Sequence, residues 1–466
     1  MKNNLRIYSL YLFVLCAFLY SCGDSTKTSY KPEWKVGCWV WGSYVDDDND
    51  ENESLAEAQL FDIFYVKVGE SRMTGMRQGE RALNMWWPKD IPKANSYYAV
   101  WRCEGAGCLS DSLITDLVKS YHSIKNEAKK TGMQVAGLQI DYDCSTTELL
   151  RYAHFLRGVK IVLPKDDILS ITTLLDWFRP GTKVAEVIRW SDEFIPQFYD
   201  NNPQNNGSNV SGVAEMIDSA KWAPVFNAFR KPYRIGISSV GRIVETYAGD
   251  AKHQCSQQSG TWFRRENILE IMEKEKISPI RIDKSLSGET IVFYKSNGDK
   301  NIRKEIPCSE KLLKMVIPTR QSVFNAFNAA KAMGGYCSGV VFFRWPDRNE
   351  VLALTRQELE DVLRESATAA GGAPTIEVED GLCAAVSCND IYIRLPERFP
   401  AQDVVFIVRS STPLDYFVPG RFGLAVLRGP QTIEVKTPAY TGLPRIAIGR
   451  AVSISQARFS VESGKQ

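Results

Sequence analysis

The stretch Gly137-Leu138-Gln139-Ile140-Asp141-Tyr142-Asp143 decides the fold. Three apolar or aromatic side chains alternate here with three polar ones, and this period of two indicates a β-strand. The polar groups share one face, roughly 6–7 Å from one to the next. Two carboxylates end the strand and a helical pattern over 146–157 follows at once, as in β/α barrels, whose catalytic groups lie at strand C-termini. Carboxylate pairs in that place are typical of glycosidic bond cleavage.

Seven further strand patterns surround this stretch, and helical patterns separate most of them. Eight strands predict a TIM-type (β/α)8 barrel over residues 34–366. The strand patterns are Val36–Gly42, Ile63–Glu70, Tyr97–Glu104, Ile168–Leu175, Phe194–Asp200, Tyr233–Ser239 and Gly339–Trp345. The clearest helical patterns are Ser110–Thr131, Thr146–Val159, Val213–Phe229 and Glu310–Met333.

Two regions depart from the barrel pattern. Residues 249–307 contain a helical run (Arg265–Lys276) and two β-like runs, so we expect an insertion after the seventh strand, on the active-site side. It either forms one wall of a cleft or is a surface excursion. Residues 367–374 are rich in Ala and Gly and indicate a linker. Beyond them only short alternating runs with Pro and Gly turns occur, which predicts a small C-terminal β-sandwich over 373–466.

The N-terminus has the sequence pattern of an export signal. A basic start precedes an apolar stretch, Ile7–Tyr20, that is short for a membrane span. The segment 1–21 resembles a lipoprotein signal peptide, which implies that Cys22 is lipidated and that residues 22–33 are a tether. We therefore expect a bacterial cell-envelope protein that contacts the membrane through its lipid anchor only. Export makes disulfides possible, and Cys103/Cys108 and Cys383/Cys388 are the closest cysteine pairs in sequence.

Charge and composition exclude several functions. A net charge of +2 without a basic stripe argues against nucleic-acid binding. Three scattered histidines argue against a zinc site. The acidic run at 46–51 is spaced like a calcium loop, but Glu51 replaces the required glycine, so we expect a solvated loop. These two observations lead us to expect no metal. Because phosphate-binding and dinucleotide fingerprints are absent from the sequence, we also expect no cofactor.

Four motifs in order resemble family 18 glycoside hydrolases, the chitinases and their relatives. The Asp-x-x-Asp-x-Asp-x-Glu strand of that family falls on Ala136, Gln139, Asp141 and Asp143, so only the inner Asp is kept and an Asp replaces the acidic Glu. The later stretches Pro196–Asp200, Tyr233–Arg242 and Gly339–Trp345 resemble its following strands. The chain is more similar to the bacterial domain-of-unknown-function family 3142, over about residues 34–350, in Gln139–Asp143, Leu169–Thr172 and Phe343–Pro346.

The resemblance to chitinases implies roles for four residues. Asp143 would be the proton donor, and the like charge of Asp141 would favour its protonated form. Tyr199 would hold the substrate acetamido oxygen and Asp200 would orient the sugar. Aspartate is shorter than glutamate by about one methylene, and misplacement of about 1 Å can cost about 10²-fold in rate. Alternatively, Asp143 works with an opposing carboxylate from Glu70, Glu104 or Asp200.

The remaining candidates are predicted sugar ligands at strand ends. They are Gln139, Trp41, Glu70, Arg102, Glu104, Gln197, Arg344 and Trp345. In a purely structural alternative, Asp141 has no role in catalysis and is a buried carboxylate paired with Arg102 or Arg344. The leading hypothesis is a glycoside hydrolase-like lipoprotein acting on a polysaccharide or amino-sugar glycan. The alternatives are a non-catalytic glycan-binding surface lipoprotein and an envelope scaffold.

Overall fold

A computed structural model describes most of the barrel and of the C-terminal region. The described residues are 32–41, 61–72, 83–88, 91–105, 109–198, 217–248, 258–259, 277–284, 288–296, 310–346, 352–364, 375–382, 387–394, 404–420, 424–437 and 445–463. The predicted signal peptide, Cys22, most of the tether, the acidic loop 46–51, Tyr199, Asp200, the helical run 265–276 and the linker 367–374 lie outside these ranges.

The strands and helices follow the predicted order. The strands up to the insertion are β1 Lys35–Val40, β2 Ile63–Arg72, β3 Asn84–Met85, β4 Ser96–Glu104, β5 Val135–Tyr142, β6 Ile168–Leu174, β7 Glu193–Gln197 and β8 Tyr233–Ser238. The insertion holds β9 Arg242–Ala248, β10 Gln258–Ser259, β11 Ile277–Lys284, β12 Thr290–Ser296 and β13 Glu310–Ile317, and β14 is Cys337–Phe343. The helices are α1 Asp111–Lys130, α2 Leu149–Val162, α3 Val184–Arg189, α4 Ser219–Asn227, α5 Arg320–Lys331 and α6 Arg356–Leu363, with 3₁₀ turns at Thr146–Glu148 and Leu175–Phe178.

Eight parallel strands close into a barrel. The order is β1-β14-β8-β7-β6-β5-β4-β2, and β2 pairs again with β1. The short β3 adds an antiparallel pair at the end of β2. Gly137 lets β5 approach β6, because a Cβ at this position would lie 2.4 Å from the carbonyl oxygen of Ile168. The predicted (β/α)8 barrel is confirmed.

A buried ionic group occupies the barrel interior near the N-terminal ends of the strands. Glu193 accepts a hydrogen bond from the Tyr65 hydroxyl at 3.0 Å and forms an ion pair with Arg234, which also donates to the Tyr65 oxygen. The Glu193 and Arg234 side chains are 4% and 8% exposed. The neighbouring interior is aromatic and aliphatic, with Trp39, Tyr98, Val100, Ile195 and Val341 among its residues. The barrel is therefore a packed core at this level.

The insertion is larger than the sequence indicates. Its antiparallel sheet has the order β10-β9-β13-β12-β11 and extends beyond 249–307 on both sides, from Arg242 to Ile317. The helix predicted at Glu310–Met333 is wrong in its first part, because Glu310–Ile317 is strand β13. Its pairing with β9 and β12 decides the conformation of a run whose apolar residues suit either period. The helix α5 begins only after Thr319, whose hydroxyl caps it by accepting from the Ser322 N–H.

The C-terminal region is a β-sandwich, as predicted. Its strands are β15 Thr375–Asp380, β16 Ser387–Arg394, β17 Val404–Ser410, β18 Tyr416–Pro419, β19 Ala425–Gly429, β20 Thr432–Thr437, β21 Arg445–Ser453 and β22 Phe459–Ser463. They form two four-stranded sheets, β15-β16-β21-β18 and β19-β20-β17-β22. Ile393 and Ile446 of one sheet share a buried cluster with Phe406 and Val435 of the other. Sequence patterns miss the short strands β18 and β22.

Five cysteines lie within the described ranges. Cys38, Cys144 and Cys337 are free and buried. Cys103 and Cys388 are disulfide-bonded. Within the same part of the chain, no helix is long and apolar enough to cross a membrane, and no group of three or more metal-ligating side chains is found.

Candidate functional site

A small pocket opens at the C-terminal ends of the barrel strands. Its volume is about 40 Å³, which is room for a few water molecules or sugar hydroxyls. The described residues therefore form the floor of a site. They are Trp39, Trp41, Arg102, Asp141, Asp143, Thr172, Gln197 and Phe343.

Asp141 is fixed in the floor of this pocket. Its side chain is 3% exposed. One carboxylate oxygen accepts a hydrogen bond from the Thr172 hydroxyl at 2.7 Å, and the other accepts from the Arg102 guanidinium at 3.1 Å. Both partners come from the neighbouring strands, β6 and β4. The alternative that Asp141 is a buried carboxylate paired with Arg102 is thus the arrangement observed.

Arg102 connects three carboxylates. Besides Asp141, its guanidinium donates to Glu104 at 3.1 Å and lies 3.7 Å from Asp143. Burial lowers the pKa of Arg102, but attraction by Asp141, Asp143 and Glu104 outweighs burial and the pKa is raised. Asp143 is the more open of the two strand carboxylates, with 36% of its side chain exposed against 3% for Asp141.

Aromatic rings form the other side of the pocket. The Phe343 ring packs edge-on against both Trp39 and Trp41, with centroids 6.1 and 5.9 Å apart. The Trp41 ring also lies 5.4 Å from the Lys67 ammonium and 5.7 Å from the Arg102 guanidinium. The floor therefore combines flat apolar surface with fixed charges, which is how binding pockets combine packing with orientation.

Gln139 does not reach the pocket. Its side chain is fully buried, where it accepts from the Trp39 indole N–H at 2.7 Å and donates to the Ser170 hydroxyl at 2.9 Å. Both the oxygen and the nitrogen of this amide are hydrogen-bonded within the barrel, so the prediction that Gln139 is a substrate ligand is wrong. Its role is to hold Trp39 in place in the pocket floor.

Trp345 and Arg344 are also placed differently from the prediction. Strand β14 ends at Phe343, and the following peptide bond to Arg344 is cis. Trp345 is 6% exposed and packs edge-on against Phe61 and Phe64 in the core between strands and helices. Arg344 is buried and donates to the Trp41 carbonyl at 3.4 Å. Phe343 takes the pocket position that the sequence assigned to Trp345, and Arg344 supports the backbone of Trp41.

The other predicted ligands lie at or near the mouth. Gln197 lines the pocket and is 5% exposed. Glu104 contacts Arg102, and Glu70 forms an ion pair with Lys67. The sequence does not identify Lys67 as a residue of the site, because the two-residue period of a regular strand puts residues 67 and 70 on opposite faces. A bulge in β2 between Lys67 and Gly69 brings both to one side.

Two of the predicted catalytic residues, Tyr199 and Asp200, lie outside the described residues, as does Cys22. Their roles stay predictions. The structure brings together Asp141, Asp143, Arg102, Trp41 and Gln197. Phe343, Trp39 and Thr172 join them, although the sequence analysis named none of these three as a ligand.

The chain matches one family model and is similar to several solved structures. Residues 99–261 match the family described as "Domain of unknown function (DUF3142)". No curated protein sequence matches the chain. Among solved structures, the chain is similar to the spore cortex-lytic enzyme SleL of Bacillus cereus, with 14% identity, 72% of this chain and 74% of that chain covered, and a TM-score of 0.41.

Two chitinases are similar at the same level. The chitinase of Chromobacterium violaceum has 13% identity, with 72% of this chain and 99% of that chain covered and a TM-score of 0.40. The GH18 chitinase of Cycas revoluta, solved with (GlcNAc)3, has 13% identity, coverage of 72% and 98%, and a TM-score of 0.39. The sequence resemblance to family DUF3142, carried by the Asp141 strand, is confirmed by the match over residues 99–261.

Proposed function

We propose that this protein is a carbohydrate-binding barrel that holds a sugar of a polysaccharide or amino-sugar glycan at the mouth of its strands. In this proposal Cys22 carries a lipid that anchors the protein in the bacterial cell envelope. Trp41 and Phe343 provide the apolar surface against which a sugar face packs. Asp143 and Gln197 provide polar groups for its hydroxyls, because both line the pocket.

The contact of Arg102 with both strand carboxylates is the observation that carries the proposal. A general acid must hold a proton before it can protonate the leaving oxygen. A guanidinium 3.7 Å from Asp143 favours the charged carboxylate instead. Asp141 is held by Arg102 and Thr172 and has only 3% of its side chain exposed, so substrate has little access to it. This arrangement supports binding over turnover.

Hydrolysis is the second candidate, and it also rests on Asp143. Its contact with Arg102 is longer than that of Asp141, 3.7 Å against 3.1 Å, and its side chain is the more exposed. A bound sugar that draws Arg102 away would leave Asp143 beside the glycosidic oxygen. Asp143 would then act as the acid that the resemblance to chitinases implies.

Binding is tested on a glycan array of neutral and amino-sugar polymers, followed by titration of each hit. Trp41→Ala removes a central aromatic contact and should weaken binding by about 30-fold, corresponding to about 2 kcal/mol. Trp190→Ala is the matched control, because Trp190 lies on the outer wall of the barrel, between α3 and β7, and does not line the pocket. If wild type binds no glycan, or both variants bind equally well, the proposal fails.

A further inference from the structure

One helix on the outside of the barrel exposes an unusual set of side chains. Within the described barrel, four large hydrophobic residues are exposed, and three of them belong to α2: Leu150 at 55%, Ile161 at 68% and Val162 at 47%. At 100° per residue, Leu150, His154, Arg157 and Ile161 fall within about 40° of one line along the helix. That line is apolar at both ends and basic between them, over about 17 Å.

The basic centre of this line opens into a groove beside the helix. A groove of about 580 Å³ lies between α2 and α3, lined in part by Arg157, Lys183, Glu186, Arg189 and Trp190. The guanidinium groups of Arg157 and Arg189 lie 5.4 and 5.6 Å from the Trp190 ring centroid. Three cations face one carboxylate, so the groove has an excess of two positive charges.

The local ion pairs do not cancel this charge. Arg189 and Glu186 are 3.9 Å apart and 69% and 49% exposed, and His154 and Asp111 are 3.5 Å apart and 68% and 73% exposed. Exposed pairs of this kind contribute little and are easily exchanged for another anion. The groove therefore suits an anionic ligand that also offers apolar surface to Leu150 and Ile161.

We infer that this α2–α3 surface, formed by Leu150, Arg157, Ile161, Lys183, Arg189 and Trp190, docks on an anionic lipid bilayer. A phosphate headgroup occupies the basic groove, and the apolar ends of the α2 line enter the headgroup boundary. Basic residues attract anionic headgroups, apolar side chains enter the interface, and an indole is favoured at that depth. An acidic protein segment would use the charges but leave the two apolar ends without a common partner.

The inference goes beyond glycan binding, because this surface is on the outer wall and shares no residue with the pocket floor. It also replaces the expectation that a lipid anchor is the sole membrane contact. Docking would orient the barrel so that its α2–α3 side faces the membrane. The mouth of the barrel would then open alongside the membrane surface.

Vesicle flotation tests the inference. The protein is the chain from Gly23 onward, which has no lipid anchor and retains every described residue. The vesicles are phosphatidylcholine alone or with about one third phosphatidylglycerol. We expect binding to the anionic vesicles and much weaker binding to the neutral ones. Each basic residue near an anionic surface contributes about fivefold, so the triple variant R157Q/K183Q/R189Q should bind about 10²-fold more weakly.

Matched variants separate this surface from general effects of charge or hydrophobicity. L150S/I161S should weaken vesicle binding by about tenfold. The control K129Q/K130Q removes two exposed lysines at the end of α1, and L382S removes a side chain of the sandwich that is 93% exposed. Both controls should bind as wild type does. The inference is overturned if wild type does not bind, if controls and test variants lose binding alike, or if polyglutamate binds the groove as tightly as the vesicles do.

Discussion

Removing one charge of the buried pair in the barrel interior should destabilise the protein strongly. Arg234→Met keeps an unbranched apolar stem but removes the guanidinium, and it leaves Glu193 with the Tyr65 hydroxyl as its remaining hydrogen-bond donor among the described contacts. With 4% of the Glu193 side chain exposed, its charge is left uncompensated, and such a change costs about 3–5 kcal/mol. A barrel of roughly 330 residues unfolds with an entropy of about 0.7 kcal/mol/K, so its Tm should fall by about 4–7 °C.

Calorimetry and urea titration of the barrel transition measure this cost. The matched control is Arg234→Met combined with Glu193→Gln, because the amide introduced by the second substitution is neutral and can still accept from Tyr65. We expect the double variant to regain about 2 kcal/mol relative to the single one. The reasoning is refuted if the single variant loses less than about 1 kcal/mol, or if the second substitution adds to the loss.

Three further predictions concern single positions. Thr172→Val removes the 2.7 Å hydrogen bond to the buried Asp141 carboxylate and should lower the free energy of unfolding, measured in urea, by about 1–3 kcal/mol. Thr173→Val should be neutral or stabilising, because the buried Thr173 hydroxyl has no hydrogen-bond partner among the described residues. Equal losses of stability in the two variants would contradict this. Burial raises the pKa of the Cys144 and Cys337 thiols to about 12, so few thiolates form at pH 8. Mass spectrometry should therefore find both cysteines unmodified by iodoacetamide until urea unfolds the protein. Rapid labelling of the native protein would contradict their burial. Metabolic labelling with a palmitate analogue should mark the wild-type protein and not Cys22→Ala; label retained in the variant would exclude lipidation at Cys22.

The barrel was predictable because its strands are short, largely apolar runs separated by helical patterns. Every predicted barrel strand overlaps an observed one. Glu310–Ile317 was misassigned because its apolar residues fit a helix as well as a strand, and only pairing with β9 and β12 distinguishes them. The strand Tyr416–Pro419 is short, and none of its four residues is fully buried, so it leaves little pattern.

The site was predictable where one strand determines it and not where several strands meet. Asp141 and Asp143 follow from the alternation of β5 alone. The pairing of Asp141 with Arg102 was one of two alternatives, and only the register of β4 against β5 selects it. Lys67 depends on a bulge, and Phe343 on where β14 ends, and neither feature has a signature in a single sequence.

The most direct test of the account is the fate of the glycan at the barrel mouth. Each glycan that binds is incubated with wild type and with Asp143→Asn, and its chain length is then measured by mass spectrometry. We predict that wild type binds the glycan and returns it intact, because Arg102 favours the charged form of Asp143. Shortened products from wild type that disappear with Asp143→Asn would contradict it and identify a hydrolase with Asp143 as its acid.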